Sequence, residues 1–218
     1  MSRDAMLSKI DNANTGRRSP DVAAEAAALI AEPDGFRATF APQPVYDRFV
    51  AKATSETVTA TVEDISSLEA LPAAVAAYMS DKNLAPRIAL QPRENLTALD
   101  WSGFETAHQA QMNETLALTF ADAAIAETGS LVFQTAPDAP VLLNFLPLHH
   151  LVVVRRSSIL PYMEDAFEHF GASAEAQRRS LNVITGTSGT ADIEAKNVRG
   201  AHGPRFMHIY CVLDPELT

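Results

Sequence analysis

The residues best suited to chemistry lie in one glycine-rich loop, residues 183–204, between two apolar runs. Four of the nine glycines of the chain, Gly186, Gly189, Gly200 and Gly203, fall in this loop. Glycine weakens regular structure, but it permits positive φ and lets a ligand approach the backbone closely. This clustering therefore predicts a binding loop, and a glycine-rich turn that only caps a helix is the alternative.

The loop favours an anionic ligand. In α/β sheets, ligands bind beyond the carboxyl ends of strands, where loops and helix N-termini present N–H donors. Residues 185–205 also carry three basic side chains against two acidic ones, a local charge of +1 in a chain of −10. A small carboxylate or phosphate is the predicted ligand. The predicted binding residues of this loop are Gly186, Thr187, Ser188, Gly189, Thr190, Arg199, His202 and Arg205.

A second turn, Glu127-Thr128-Gly129, separates two strand-like segments at residues 115–120 and 130–134. An acid in such a turn can act as a general base or a nucleophile. It can equally accept hydrogen bonds from backbone amides and do nothing else. We predict that the two turns form one site. Its candidate catalytic acids are Glu127 and Asp192, and its further binding residues are Thr128 and Gly129.

Several familiar motifs are absent from the sequence. The run Gly186-Thr187-Ser188-Gly189 has neither the dinucleotide-binding spacing nor a P-loop lysine, and it falls one residue short of a G-x-S-x-G elbow. His149 and His150 are adjacent, so in a strand they face opposite sides and cannot share an ion. Cys211 is the single cysteine, which excludes an intrachain disulfide and a cysteine-only cluster. We predict no metal and no cofactor in this chain.

Bulk properties narrow the function class further. A net charge of −10 argues against nucleic acid and anionic membranes as partners, because both require a basic footprint. No apolar run approaches the ~18–20 residues that span a bilayer, and the N-terminus lacks the apolar centre of a signal peptide. We therefore expect a cytoplasmic protein without a membrane span.

The hydrophobic pattern predicts an α/β protein. Strands are expected near residues 57–62, 87–90, 115–120, 130–134, 149–154, 181–184 and 206–213, with residues 121–126 as a tight connection. Helices are expected near residues 42–54, 67–81 and 161–170, while residues 141–145 fit either a strand or a helix. Alternation of this kind predicts a three-layer sandwich with a mixed, partly parallel sheet. Residues 1–44 form a predicted N-terminal helical arm, and residues 45–218 form the domain.

Four motifs carry a resemblance to a known family. AIAETGSLV at residues 124–132, LPLHHLVVV at 146–154, TGTSGTADIE at 185–194 and VRGAHGP at 198–204 resemble, in this order, the LUD domain family and its LutC-like members. The resemblance implies a fold similar to the NagB/RpiA/CoA-transferase-like group. It also implies an accessory role beside iron–sulfur partner proteins that oxidise L-lactate to pyruvate, with the clusters held only by those partners.

The glycine loop departs from the family pattern at two positions. The family loop usually reads G-P-S-[RK]-T-A-D-I-E, whereas Thr187 stands here for the proline and Gly189 for the basic residue. Either Arg199 or Arg205 replaces the lost cation, or the ligand has changed. Two other functions therefore stay open: a stand-alone CoA-transferase-like enzyme acting on an anionic small molecule, and a ligand-binding regulatory module without turnover.

Overall fold

The computed structural model describes residues 2–14, 21–32, 35, 37–171, 179–191 and 197–213. The chain divides into two compact units, residues 1–42 and residues 43–218. The first unit contains helices α1 (Arg3–Asn14) and α2 (Val22–Ala31), and neither buries a residue. Asp21 caps α2, since its carboxylate accepts a hydrogen bond of 2.8 Å from the Ala24 amide.

The second unit is built on a six-stranded sheet in which every pairing is parallel. Its order is β1-β12-β7-β4-β2-β3. The strands, numbered along the chain, are β1 (Thr61–Ile65), β2 (Arg87–Leu90), β3 (Glu105–Ala107), β4 (Leu116–Phe120), β7 (His149–Arg155) and β12 (Phe206–Val212). The central strands β4 and β7 are buried almost throughout, as expected of parallel strands covered on both faces.

The remaining strands form a four-stranded sheet and a hairpin. The four-stranded sheet, of order β8-β5-β6-β9, has one parallel and two antiparallel pairings. Its strands are β5 (Ala123–Ile125), β6 (Ser130–Gln134), β8 (Ile159–Leu160) and β9 (Leu181–Ile184). The hairpin pairs β10 (Gly189–Ala191) with β11 (Asn197–Arg199). The α/β class is confirmed, and the mixed pairing belongs to the second sheet.

Helices cover both faces of the six-stranded sheet. They are α3 (Val45–Ala53), α4 (Leu71–Asp81), the short α5 (Glu94–Thr97) and α6 (Met163–His169), with single 3₁₀ turns at Leu68–Ala70, Val141–Asn144 and Arg156–Ser158. On one face, Leu71, Val75 and Met79 of α4 pack into the core. On the other face, Phe49 and Ala53 of α3 pack together with the second sheet. Helix α6 lies against β5 and β6.

Two local differences from the predicted elements have physical causes. The strand expected at residues 57–62 begins only at Thr61, because Thr59 adopts a left-handed conformation with φ of 62°. The predicted connection at residues 121–126 contains β5, whose alanine-rich sequence gives little strand signal. The first difference matters for the site, since Thr59 lies where β1 and β12 begin and lines the cavity described below.

Candidate functional site

The turn at Gly186 fixes the start of the glycine-rich loop. Gly186 has a φ of +71°, and a Cβ atom at this position would lie 1.9 Å from the Val58 carbonyl oxygen. Only glycine permits both this conformation and this approach. The Thr187 amide then donates to the same carbonyl at 3.2 Å. The turn therefore holds Thr187 against the segment that leads into β1.

The β10–β11 hairpin brings a guanidinium to this turn. Gly189 pairs with Arg199, and the Arg199 Nη1 donates to Thr187 Oγ1 at 2.8 Å and to Thr59 Oγ1. Arg199 Nη2 donates to the Glu56 carbonyl at 3.2 Å, and the hydroxyls of Thr59 and Thr187 lie 2.6 Å apart. Arg199 is thus held by Thr187 of the loop, by the backbone pairing of its own hairpin, and by Glu56 and Thr59 in the segment before β1.

This guanidinium lines a cavity of about 630 Å³, which we call the Arg199 cavity. It lies at the amino ends of β1 and β12, beside the last turn of α4. Its volume is within the ~300–1,000 Å³ typical of small-molecule sites. Its lining residues are Thr59, Thr61, Glu63, Ala77, Tyr78, Asp81, Lys82, Thr187, Arg199, Arg205, Phe206, Met207 and His208. Three cations against two carboxylates leave the lining with a formal charge of +1.

Aromatic and imidazole rings form one wall of the cavity. The Tyr78 and His208 rings are 5.0 Å apart, and the Tyr78 hydroxyl lies 3.0 Å from His149 Nδ1. Burial, followed by the charge of Asp81, raises the pKa of Tyr78 to about 12, so its hydroxyl stays protonated at neutral pH. Burial also lowers the pKa of His149, with a smaller effect of Lys82 in the same direction.

His208 of β12 contacts two side chains of the neighbouring edge strand β1. Its Nδ1 lies 2.6 Å from Thr61 Oγ1, and its Nε2 lies 3.3 Å from Glu63 Oε2. Burial lowers the pKa of His208, while the Glu63 carboxylate acts in the opposite direction. Its imidazole is therefore a hydrogen-bonding group that is partly screened from water yet borders the cavity.

The second predicted turn lies next to the first. Gly129 has a φ of +70°, and a Cβ atom there would lie 2.7 Å from the Ala53 amide nitrogen. A chain of hydroxyls joins the two turns, with Thr128 Oγ1 to Ser130 Oγ and Ser130 Oγ to Thr185 Oγ1 both at 2.6 Å. The structure thus brings the turns together through the end of α3 and these hydroxyls.

Glu127 points to a different neighbour. Its Oε2 accepts a hydrogen bond of 3.0 Å from the Met163 amide, at the first residue of α6. A carboxylate at this position satisfies an amide that lacks an intrahelical partner. The side chain is not among those that line the Arg199 cavity.

The remaining predicted site residues divide between loop structure and a second cavity. The Ser188 amide donates to the Pro204 carbonyl at 2.8 Å, while Gly189 and Thr190 are paired in β10. His202 lines a separate cavity of about 490 Å³ together with Gly200 and Gly203. Arg205 joins Arg199 and Thr187 at the Arg199 cavity. Asp192 lies outside the described residues.

Several cavity residues escaped prediction from the sequence. Tyr78 comes from α4, Lys82 directly follows that helix, and Thr61 and Glu63 come from β1, all far from the glycine loop along the chain. Alternation along β1 places Thr61 and Glu63 on one face, which was an available signal. Nothing in the sequence signals the left-handed Thr59.

His149 and His150 do face opposite sides of β7. His149 contacts Tyr78 of α4, whereas His150 Nε2 lies 2.8 Å from Thr119 Oγ1 and the His150 ring lies 5.9 Å from the Phe133 ring. Within the described part of the chain, no three His, Cys, Asp or Glu side chains are grouped so that they could hold a metal ion. A helix of the length and apolarity needed to cross a membrane is likewise not found among the described residues.

Comparison with known sequences identifies the family. Residues 40–212 match the LUD domain. The chain belongs to the LUD domain family. This LUD domain protein is 33% identical over 122 residues to lactate utilization protein C of Macrococcus caseolyticus, which covers 54% of this chain and 52% of that protein. It is 32% identical over 128 residues to the uncharacterized protein YkgG of Escherichia coli, with coverage of 56% and 54%.

The LUD domain chain thus spans about half the length of the curated relatives that it matches. A crystal structure of a DUF162 family protein from Deinococcus radiodurans superposes with a TM-score of 0.60 at 22% identity, covering 79% of this chain and all of that one. This likeness supports the α/β fold.

Proposed function

We propose that this chain is a LutC-like accessory protein of L-lactate oxidation that works with iron–sulfur partner proteins and binds a small carboxylate in the Arg199 cavity. The relatives named lactate utilization protein C support the metabolic role, since their aligned segments are about 30% identical to this chain. A [4Fe–4S] or [2Fe–2S] cluster takes about four cysteine ligands, and Cys211 is the one cysteine here. The clusters are therefore assigned to the partners.

The observation that carries the ligand class is the fixed guanidinium of Arg199. Its three hydrogen bonds, to Thr59, Thr187 and the Glu56 carbonyl, occupy three of its N–H groups. An arginine side chain has about five N–H donors, so about two remain for a ligand. A planar guanidinium matches the two oxygens of a carboxylate, and its fixed orientation lowers the entropic cost of binding.

The charge of the lining favours a monoanion. Lys82 and Arg205 add two cations to Arg199, but Asp81, which lies 2.8 Å from Lys82, and Glu63 add two negative charges. The surplus of one positive charge is balanced by one carboxylate, whereas a phosphate dianion would leave the cavity negative. Arg199 thereby supplies the cation that Gly189 cannot supply in the loop.

Calorimetric titration tests the carboxylate. L-lactate and pyruvate are expected to bind, and lactamide is expected not to bind, because it has the shape of lactate without its charge. Charge-assisted hydrogen bonds contribute about 1.5–3 kcal/mol, so Arg199→Gln should weaken L-lactate binding by about 10- to 100-fold. Arg179→Gln is the matched control, because Arg179 is exposed and does not line the cavity. Equal binding of lactate and lactamide would refute a carboxylate site.

Co-purification tests the partners. The tagged chain is purified from lactate-grown cells, and iron and acid-labile sulfide are measured in the eluate. We expect both to co-elute with the wild-type chain and to be lost after a high-salt wash, which weakens polar contacts between proteins. An eluate without iron under lactate induction would contradict the accessory role, whatever the titration shows.

A further inference from the structure

The Arg199 cavity contains a hydroxyl, an imidazole and a carboxylate in series. Thr61 Oγ1 lies 2.6 Å from His208 Nδ1, and His208 Nε2 lies 3.3 Å from Glu63 Oε2. All three side chains line the cavity. Lysine and two arginines border the same space, so an anionic molecule can reach the series.

The backbone fixes this arrangement. Thr61 and His208 are direct partners in the parallel pairing of β1 with β12, and Glu63 lies two residues after Thr61 on the same face. The His208 ring is held between aromatic neighbours, with the Tyr210 ring at 4.5 Å and the Tyr78 ring at 5.0 Å. The imidazole therefore keeps one nitrogen toward the threonine and the other toward the carboxylate.

The carboxylate determines which nitrogen carries the proton. An ionised Glu63 only accepts hydrogen bonds, so Nε2 of His208 carries the hydrogen and Nδ1 presents a lone pair to the Thr61 hydroxyl. The Met207 carbonyl is a competing acceptor for this hydroxyl, but it lies at 3.3 Å, farther than His208. Burial lowers the pKa of His208, which keeps the imidazole neutral at pH 7 and able to take a proton. A nucleophile, a base and an orienting acid are thus in hydrogen-bond reach of each other.

We propose that Thr61, His208 and Glu63 form a hydrolytic triad for carboxylic esters or thioesters that carry an anionic group. Thr61 Oγ1 attacks the acyl carbon and its proton passes to His208 Nδ1. The bond to the leaving oxygen or sulfur then breaks, and His208 returns the proton to the leaving group. Water next attacks the acyl-threonine while His208 accepts the water's proton, which releases the acid and restores the Thr61 hydroxyl. Glu63 is a positioning residue that holds the imidazole and stabilises its protonated form.

The cations of the cavity select the substrate. Arg199, held by Thr59 and Thr187, binds the anionic group of the acyl arm while the ester carbonyl reaches Thr61. This activity is independent of lactate as a ligand: the triad requires the hydroxyl and the imidazole, whereas lactate binding requires only the guanidinium. Failure of one proposal therefore leaves the other standing.

Two chromogenic esters test the triad in the purified full chain. Mono-4-nitrophenyl adipate carries a free carboxylate, and 4-nitrophenyl hexanoate is a neutral ester of equal chain length. We expect release of nitrophenolate from the adipate ester, with an adipoyl group mapped to the Thr61 peptide by mass spectrometry. Arg199→Gln should slow the anionic ester by about tenfold or more and reduce the preference of the chain for the anionic over the neutral ester.

Variants separate the triad from incidental esterolysis. General-base catalysis contributes about 10²–10⁴-fold, so Thr61→Val and His208→Gln should each lower the rate at least a hundredfold. Thr61→Ser should retain activity, because it keeps the hydroxyl. Thr106→Val is the matched control, since Thr106 is an exposed threonine on the opposite edge strand, β3, of the same sheet. If Thr61→Val does not fold, the Ser and His208 variants decide the question.

The pH profile tests the positioning role of Glu63. The charged and titratable groups around His208 are Glu63 on β1, Tyr78 on α4, Lys82 directly after α4, and Tyr210 on β12. Glu63→Gln removes the charge that raises the pKa of His208, so the acidic limb of the rate profile should move to lower pH. No nitrophenolate release by the native chain, acylation at another residue, or an undiminished rate in Thr61→Val would each overturn the proposal.

Discussion

Gly186→Ala tests whether the glycine turn holds the site together. The alanine Cβ would lie 1.9 Å from the Val58 carbonyl oxygen and 2.6 Å from the carbonyl carbon. Both are backbone atoms of the residue before Thr59, so rotation of a side chain cannot relieve the clash. The residue also has a φ of +71°, a conformation that L-residues rarely adopt.

Two penalties add for this substitution. A left-handed backbone costs about 1–2 kcal/mol for a residue with a Cβ atom. Overpacking of a closely packed contact costs typically about 1–3 kcal/mol. The expected loss in the free energy of unfolding is therefore about 2–5 kcal/mol. For a chain of this size, 1 kcal/mol corresponds to roughly 2–4 °C in Tm, so the Tm should fall by about 4–20 °C.

Urea and thermal denaturation followed by circular dichroism measure this loss. Gly103→Ala is the control, because no atom lies within 4 Å of its added Cβ and its φ is not positive. Its stability should change by less than about 1 kcal/mol. If Gly186→Ala is as stable as Gly103→Ala, the close approach of the two backbones does not exist and the placement of Thr187 is wrong.

Three further outcomes follow from single side chains. Glu127→Ala should lower the free energy of unfolding by about 0.5–2 kcal/mol, because the Met163 amide loses its acceptor, while Glu127→Gln keeps an oxygen and should lose less in urea denaturation. Burial lowers the pKa of His150 from 6.5 to about 3, so between these pH values the unfolded chain binds more protons than the folded chain. The free energy of unfolding should therefore decrease as the pH falls from about 6.5 toward about 3. In urea denaturation at a series of pH values, His150→Gln should flatten this dependence, because glutamine does not titrate and keeps a hydrogen-bond partner for Thr119. Burial raises the pKa of Cys211 to about 12, so iodoacetamide should label it only after unfolding, and rapid labelling of the native chain would contradict its buried position.

The sequence indicated the fold wherever burial on both faces leaves a continuous apolar run. Strands β7 and β12 are such runs and were predicted close to their observed bounds. Strand β5 was not, because alanines carry no strand preference and its pairing with β6 and β8 is decided by tertiary packing. The separation into two sheets has the same cause, since apolar runs do not encode which strand pairs with which.

The residues of the candidate site could be predicted from the sequence only where they lie in the same loop. Thr187, Arg199 and Arg205 were proposed from the glycine-rich segment, and the structure places all three at one cavity. Thr61 and His208, by contrast, are 147 residues apart and meet only through the pairing of β1 with β12. Their types are ordinary for strands, so no local pattern distinguishes them from core or surface residues.

Thr59 shows how stability and ligand recognition oppose each other in this domain. A β-branched residue at a φ of 62° is a backbone outlier that costs about 1–3 kcal/mol. Glycine would relieve this strain, but it would remove the oxygen that orients the Arg199 guanidinium. Replacing Thr59 by glycine to raise thermal stability would therefore give a more stable protein in which the Arg199 guanidinium is less well oriented for a ligand.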